Sequence, residues 1–252
     1  MHTTISRQRL DLALVERALA PSRERAQALI ASGLVEVNGS AARSASIPVS
    51  PEAKVKLLGR DHPWASRGGV KLDAALEAFA IPCAGRVCLD AGASTGGFTD
   101  VLLARGAALV YAVDVGRGLL DARLASDPRV RVMDRTNLRH QLSVPGPAPD
   151  LVSLDLSFIS LRVVMPAVVS LTTRPADVVA LFKPQFELGR EAVGRGGVVR
   201  DASVARVGIE QFLHWLSETV GARLFHEPVP AAVRGAKGNQ EWMVHFRLEP
   251  SP

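Results

Sequence analysis

One string, VCLDAGASTGGF over residues 87–98, constrains the fold of this chain more than any other. The apolar run of Val87, Cys88 and Leu89 reads as a buried strand that ends on Asp90. The chain then turns through Gly92 and enters a helix at Gly96 and Gly97. Glycines at such a turn let the backbone approach a ligand closely, above the amides of the helix. From residue 70 onward the pattern repeats. VKLDAALEAF, GFTDVLLARG, ISLRVVMPAVVSL and VARVGIEQFLHWLSETV read as helices, VCLD, LVYAVD, VRVMD, LVSLDL and DVVALF as strands, and ARLFHEPV and EWMVHFRL close the chain. This alternation predicts an α/β, doubly wound, mostly parallel sheet that holds its ligand at the carboxyl ends of the strands. The Gly-rich, charged insert FELGREAVGRGGVVRD (186–201) reads as a mobile loop beside that edge.

A different pattern precedes the sheet. Residues 7–20 place Leu10, Leu14 and Val15 on one helical face; Ser22 caps a second helix, SRERAQALIAS, that stops at Gly33. LVEVNG follows as a short strand with an Asn-Gly turn, and VKLL (55–58) can pair in the same small sheet. Charge is concentrated here. Residues 1–60 hold two Lys and seven Arg against five acids, a net of +4, whereas the other 192 residues carry a net of +1. A small basic module on a near-neutral body suggests polyanion targeting. The two-helix-plus-hairpin order resembles the α-L RNA-binding motif of a small-subunit ribosomal protein, tyrosyl-tRNA synthetase and many pseudouridine synthases. That resemblance implies that Arg7, Arg9, Arg23 and Arg43 face RNA and contact its phosphates. Residues 1–59 are expected to form this domain, 60–69 a Pro- and Gly-rich linker, and 70–252 the α/β domain. Trp64 in the linker is expected to pack between domains, and Arg67, beside the crevice, to contact RNA phosphate.

Other classes recede. No apolar run reaches membrane-spanning length, and MHTTISRQRL lacks the apolar segment of a secretion signal, so a cytoplasmic protein without membrane partners is expected. Cys83 and Cys88 have neither metal nor disulfide spacing and read as small buried hydrophobes; the six histidines are scattered, and no metal is expected.

The acids Asp90 and Asp114, each ending a strand, fit a class I (Rossmann-like) methyltransferase sheet that binds S-adenosylmethionine. On that resemblance Gly92, Ser94 and Gly97 lie against the methionine moiety, Asp114 accepts from the ribose hydroxyls, and Asp134, with Asn137 competing, contacts adenine. Four further residues converge on the same edge: Lys71 opening the helix after SRGG, Asp155 ending LVSLD, Lys183 ending DVVALFK, and Glu241 starting EWMVHF. With the strings SRGGVKL, DAGASTGGFTD, DLSFISL, FKPQFELGR and GNQEW, the chain resembles the FtsJ-like ribose 2′-O-methyltransferases and, within them, the TlyA subfamily. The resemblance implies a cytidine ribose in ribosomal RNA, free or in a subunit, as substrate. It also implies that forms with an extra C-terminal helix modify both subunits; the ending at Pro252 favours the large subunit's 23S RNA.

The chemistry constrains the roles. A ribose 2′-hydroxyl must be positioned, lose its proton and have its developing negative charge stabilised. A lysine serves as base only when neutral, a form that desolvation and a neighbouring cation favour. Lys183 is assigned as base, Lys71 as the neighbouring charge, Asp155 as the group orienting Lys183, and Glu241 as the group fixing Lys71 and the ribose. The alternative is an RNA-binding ribosome-assembly factor with an inactive methyltransferase domain. Pore formation, suggested by the family's historical description as haemolysins, lacks a spanning helix, and a nicotinamide enzyme lacks the G-x-G-x-x-G order. Oligomeric state is left open.

Overall fold

The computed structural model describes residues 7–20, 22–58, 62–140, 143–194, 196–235 and 237–249. The N-terminal part comprises β1 (Gln8–Arg9), α1 (Leu10–Glu16), α2 (Arg23–Ala31), β2 (Val35–Val37), β3 (Ser40–Ala41), β4 (Pro48–Val49) and β5 (Val55–Leu57). β3, β2 and β5 form an antiparallel sheet in that order, while β1 pairs with β4. Asn38 and Gly39 make the β2–β3 turn with φ of 51° and 86°, as an Asn-Gly hairpin requires. Leu10, Leu14, Ile30 and Val35 fill the core between helices and strands.

Helix α1 is shorter than the apolar spacing over 7–20 suggests. Gln8 and Arg9 join the ladder with β4, and the amides of Leu10 and Asp11 donate to the carbonyls of Ile47 and Ala45, so the helix starts at Leu10. Ala18, at φ 54°, turns the chain back, and the amides of Leu19 and Ala20 close on the Leu14 carbonyl. Ser22 caps α2 as expected, its hydroxyl accepting from the Arg25 amide at 3.2 Å.

The second part runs α3 (Arg67–Ala78), β6 (Val87–Ala91), α4 (Gly97–Ala104), β7 (Leu109–Val113), α5 (Ala122–Ala125), β8 (Val130–Met133), β9 (Leu151–Leu154), α6 (Leu161–Leu171), β10 (Ala176–Phe182), α7 (Pro184–Glu187), α8 (Ala202–Trp215), β11 (Ala222–Pro230) and β12 (Trp242–Leu248). Seven strands form one sheet in the order β11-β12-β10-β9-β6-β7-β8. β6 to β10 are parallel, and β12 lies antiparallel between β10 and β11. Leu72, Leu76 and Leu102 from α3 and α4 cover one face, and Val164, Val168 and Phe212 from α6 and α8 cover the other. β10, ADVVALF, is buried along its whole length, as a central strand covered on both faces must be. The strand order reverses between β9 and β6, which opens a crevice at their carboxyl ends.

Two boundaries depart from the sequence reading. The linker expected over 60–69 already belongs to α3 from Arg67, because Ser66 caps that helix and accepts from the Gly68 amide at 3.3 Å. Lys71 therefore sits in the second turn instead of opening the helix. Trp64 packs on the body rather than between domains: it lies against Gly69 and joins the core under α3 and α4. The insert expected over 186–201 carries the end of α7, a 3-10 turn at Arg190–Ala192 and a bridge between Gly194 and Val198. Glu187 anchors its start, accepting from the Ser160 hydroxyl and the Leu161 amide, both at 2.7 Å. Cys83 and Cys88 are free and buried. Among the described residues no helix is long and apolar enough to cross a membrane, and no group of side chains could hold a metal ion.

Candidate active site

The loop after β6 depends on glycine. Gly92 has φ 82°, and a β-carbon there would collide with the backbone oxygen of Asp155, so β6 and β9 can approach this closely only at glycine. A β-carbon at Gly97 would strike the Ser66 hydroxyl and the Gly69 amide, where α3 crosses the start of α4. A cavity of about 390 Å³ opens above, with Gly92, Ser94, Gly97 and Phe98 in its wall. Phe98 also belongs to the core. Asp114 ties two loops together, accepting from the Ser94 amide at 2.8 Å and the Gly116 amide at 2.7 Å. Asp134 accepts from the Gly118 amide at 2.8 Å. These two acids stand at the ends of β7 and β8, beside the lining of the cavity rather than within it.

Asp90 is placed differently from its expected position. β6 continues to Ala91, so Asp90 lies on a sheet face and not at the strand's end. It is fully buried, accepting from Thr99 Oγ1 at 2.6 Å and Ser153 Oγ at 3.1 Å. Burial pushes its carboxyl up to about 7 against those two hydrogen bonds. Asp90 is a buttress between β6, α4 and β9, and its side chain does not line the cavity.

The other four residues meet. Lys183, following β10, places Nζ 2.6 Å from Asp155 Oδ1 and 3.0 Å from Ser157 Oγ. Lys71 on α3 places Nζ 2.6 Å from Glu241 Oε2, at the start of β12, and Gln185 Nε2 approaches Glu241 Oε1 at 3.4 Å. Lys71, Asp155, Lys183 and Glu241 all line the one cavity. Burial alone would raise the Asp155 carboxyl, but the cations of Lys183 and then Lys71 outweigh it and hold the group below its ordinary range. Two buried ion pairs thus share one cleft, and both lysines line it. Sequence reasoning missed Ser157, Gln185 and Phe158. Phe158 stands 89% exposed at φ 66°, its ring tilted 50° to that of Phe186 with ring centres 5.2 Å apart. A bulky residue in the left-handed region is unusual, and nothing local in DLSFISL announces it.

The expected RNA-facing arginines divide. Arg7 and Arg43 are exposed. Arg9 and Arg23 both hold the buried carboxylate of Asp11, with Nε distances of 3.0 and 2.9 Å, and Gln27 adds a third donor at 2.8 Å. The Arg9 bond leads in keeping Asp11 well below the usual carboxylate range despite burial. Arg67 lines the cavity, its Nε donating to the Ser32 carbonyl at 3.0 Å, so α2 of the N-terminal part reaches the rim.

The S4 domain matches residues 8–55 and the FtsJ-like methyltransferase family residues 64–248. The chain belongs to the FtsJ-like methyltransferases. It is 47% identical over 251 residues to a 16S/23S rRNA (cytidine-2′-O)-methyltransferase TlyA of Mycobacterium tuberculosis, covering 96% of this chain and 91% of that one. It is 30% identical over 190 residues to a 23S rRNA (cytidine-2′-O)-methyltransferase TlyA of Campylobacter jejuni, covering 73% and 70%. A solved structure described as a hemolysin from Streptococcus thermophilus superposes with a TM-score of 0.75 at 36% identity, covering 99% of this chain and 91% of that one.

As an FtsJ-like enzyme, the chain is an S-adenosylmethionine-dependent methyltransferase. Its residues fit that cofactor. Gly92, Ser94 and Gly97 line the cavity, and Asp114 and Asp134 each keep acceptor capacity beyond their amide contacts, since a carboxylate offers about four lone-pair sites. Gly92, Ser94 and Gly97 would hold the methionine part, and Asp114 and Asp134 the nucleoside.

Proposed function

We propose that this chain methylates the 2′-hydroxyl of a cytidine ribose in ribosomal RNA, with 23S RNA as its target. The observation that carries the reading is the meeting of two buried lysine–carboxylate pairs in one cleft that Gly92 and Gly97 also line. Ribosomal RNA and cytidine are named for both TlyA relatives, and 23S is the molecule common to the two names. The N-terminal S4 domain, rich in arginine, supports a polyanionic substrate. When bound, the cofactor supplies a methyl group activated by the positive charge of its sulfonium.

The protein's part is positioning and proton handling. Lys183, as the neutral amine, would accept the 2′-hydroxyl proton and Asp155 would hold the ammonium produced, while the bound cofactor would give up its methyl group and keep the electron pair of the broken carbon–sulfur bond. Lys71, fixed by Glu241, stabilises negative charge developing on the oxygen. Phe158 offers an open aromatic face on which a nucleobase can stack. The test is transfer of labelled methyl from S-adenosylmethionine to purified ribosomal subunits and free RNA, followed by alkaline digestion. One alkali-resistant cytidine linkage in 23S RNA is expected. Label confined to a base, or transferred to protein instead, contradicts the reading.

A further inference from the structure

The loop between β11 and β12 brings two cations to the cleft that the chemistry above does not use. Five cationic side chains and two carboxylates line the cavity, so its lining is positive even after the internal pairs neutralise each other. Lys71 and Lys183 are matched by Glu241 and Asp155, and Arg67 is tied to the Ser32 carbonyl. Among the described residues neither Arg234 nor Lys237 has a carboxylate partner. Arg234 donates within its own loop, from a terminal guanidinium nitrogen to the Gly238 carbonyl at 3.1 Å.

We propose that Arg234 and Lys237 clamp the phosphodiester next to the target ribose. The inference rests on the RNA-methylating reading and deepens it. A 2′-hydroxyl within a strand always has a phosphodiester on the adjacent ribose carbon, so a site that binds that hydroxyl must accommodate an anion close by. The loop is built to meet it. A β-carbon at Gly235 would collide with Glu241 Oε1, so the backbone beside Arg234 sits directly on the carboxylate that fixes Lys71. The Gly235 amide donates to the Asn239 carbonyl at 3.0 Å, the Gly238 amide to the Gly235 carbonyl at 2.8 Å, and the Ala231 amide to the Glu241 carbonyl at 2.8 Å. Asn239 is buried and joins this loop to the insert after α7, donating to the Gly197 carbonyl at 2.8 Å and accepting from the Val199 amide at 2.9 Å. A β-carbon at Gly197 would lie 3.2 Å from Lys237 Nζ, so glycine there gives the ammonium its room. Two like charges held close to one cleft gain most from a shared anion, and the guanidinium fork suits a phosphate in particular.

The test compares wild type with the Arg234→Ala/Lys237→Ala double variant and with Arg234→Lys. Ribosomal RNA affinity is measured across salt concentrations, alongside S-adenosylmethionine affinity and methyl transfer. The double variant is expected to bind RNA about tenfold more weakly, with a salt slope reduced by about 1 to 2. Its cofactor affinity stays within about twofold, and Arg234→Lys keeps the wild-type slope, since the charge that displaces counterions is retained. An unchanged slope and affinity in a protein that methylates RNA overturns the clamp, as does a loss traced to cofactor binding. A wild-type protein that methylates no ribosomal RNA overturns the reading of function instead.

Discussion

Strand β10 carries a charged group at each end, and the two ends put charge to different uses. At its start Asp177 accepts from Arg86 at 2.7 Å, Arg247 at 2.9 Å and, across the His245 ring nitrogen, at 3.1 Å. At its finish Lys183 meets the single carboxylate of Asp155, with Ser157 alongside and the cleft beyond. Both acids lie below their ordinary range for the same kind of reason. Burial would raise each, and for Asp177 the bonds from His245, Arg86 and Arg247 outweigh it, as Lys183 and Lys71 do for Asp155. A depressed carboxyl therefore does not distinguish a working site from a structural one. Saturation does: Asp177 is buried and engaged by three side-chain donors, whereas Lys183 and Asp155 at the other end line an open cleft.

That contrast can be broken from either side. The largest effect is expected at the closed end. Asp177→Ala strands two guanidinium groups and should cost about 3–5 kcal/mol of stability, lowering the melting temperature by about 10 °C. Methyl transfer per folded molecule should stay within about twofold of wild type, because the loss falls on folding and not on the barrier. A protein that keeps its melting temperature but loses transfer would place Asp177 in the catalytic machinery. Since its folded pKa is depressed, the stability it adds is present above the unfolded carboxylate range of about 4 and is lost as pH falls below it. Denaturant titrations of wild type and Asp177→Asn should thus converge on acidification.

Asp90 should show the opposite sign. Its carboxyl, at about 7 through burial, holds a proton that the unfolded chain releases at about 4. Wild type should lose stability, by up to about 4 kcal/mol, as pH rises through that window and then level off. Asp90→Asn should show no such fall, and a parallel pH profile in the two proteins would mean Asp90 is ionised when folded. Next in size is Gly92→Ala, where overpacking and left-handed strain of about 3 kcal/mol should weaken cofactor binding by about a hundredfold, as read by calorimetry. Smallest is Glu241→Gln, which keeps shape but removes the counter-charge of Lys71. It should slow transfer per folded molecule about tenfold, and an unaltered rate would leave Lys71 without a catalytic role.

The elements of the sheet were legible because apolar runs and glycine punctuation are local properties, and the four converging residues because strand ends share one edge. Other features depend on partners distant in sequence. The arginines and acid around Asp177 come from Arg86, Asp150 and Arg247, and no spacing links them. The early start of α1 is set by carbonyls at Ala45 and Ile47, and the early start of α3 by the Ser66 cap. Asp90 was misjudged by one residue of strand length, which in a period of two turns a side chain from edge to face. Arg9 and Arg23, expected to face RNA, both hold Asp11, and only the fold reveals that buried acceptor.

Single-turnover methyl transfer by Lys183→Ala, at saturating S-adenosylmethionine and ribosomal RNA, tests the difference between the two ends of β10 most directly. A rate lower by about 10²–10⁴ with cofactor affinity and melting temperature preserved is expected if Lys183 handles the proton. Transfer at the wild-type rate would contradict it and leave the open end of the strand no more catalytic than the closed one.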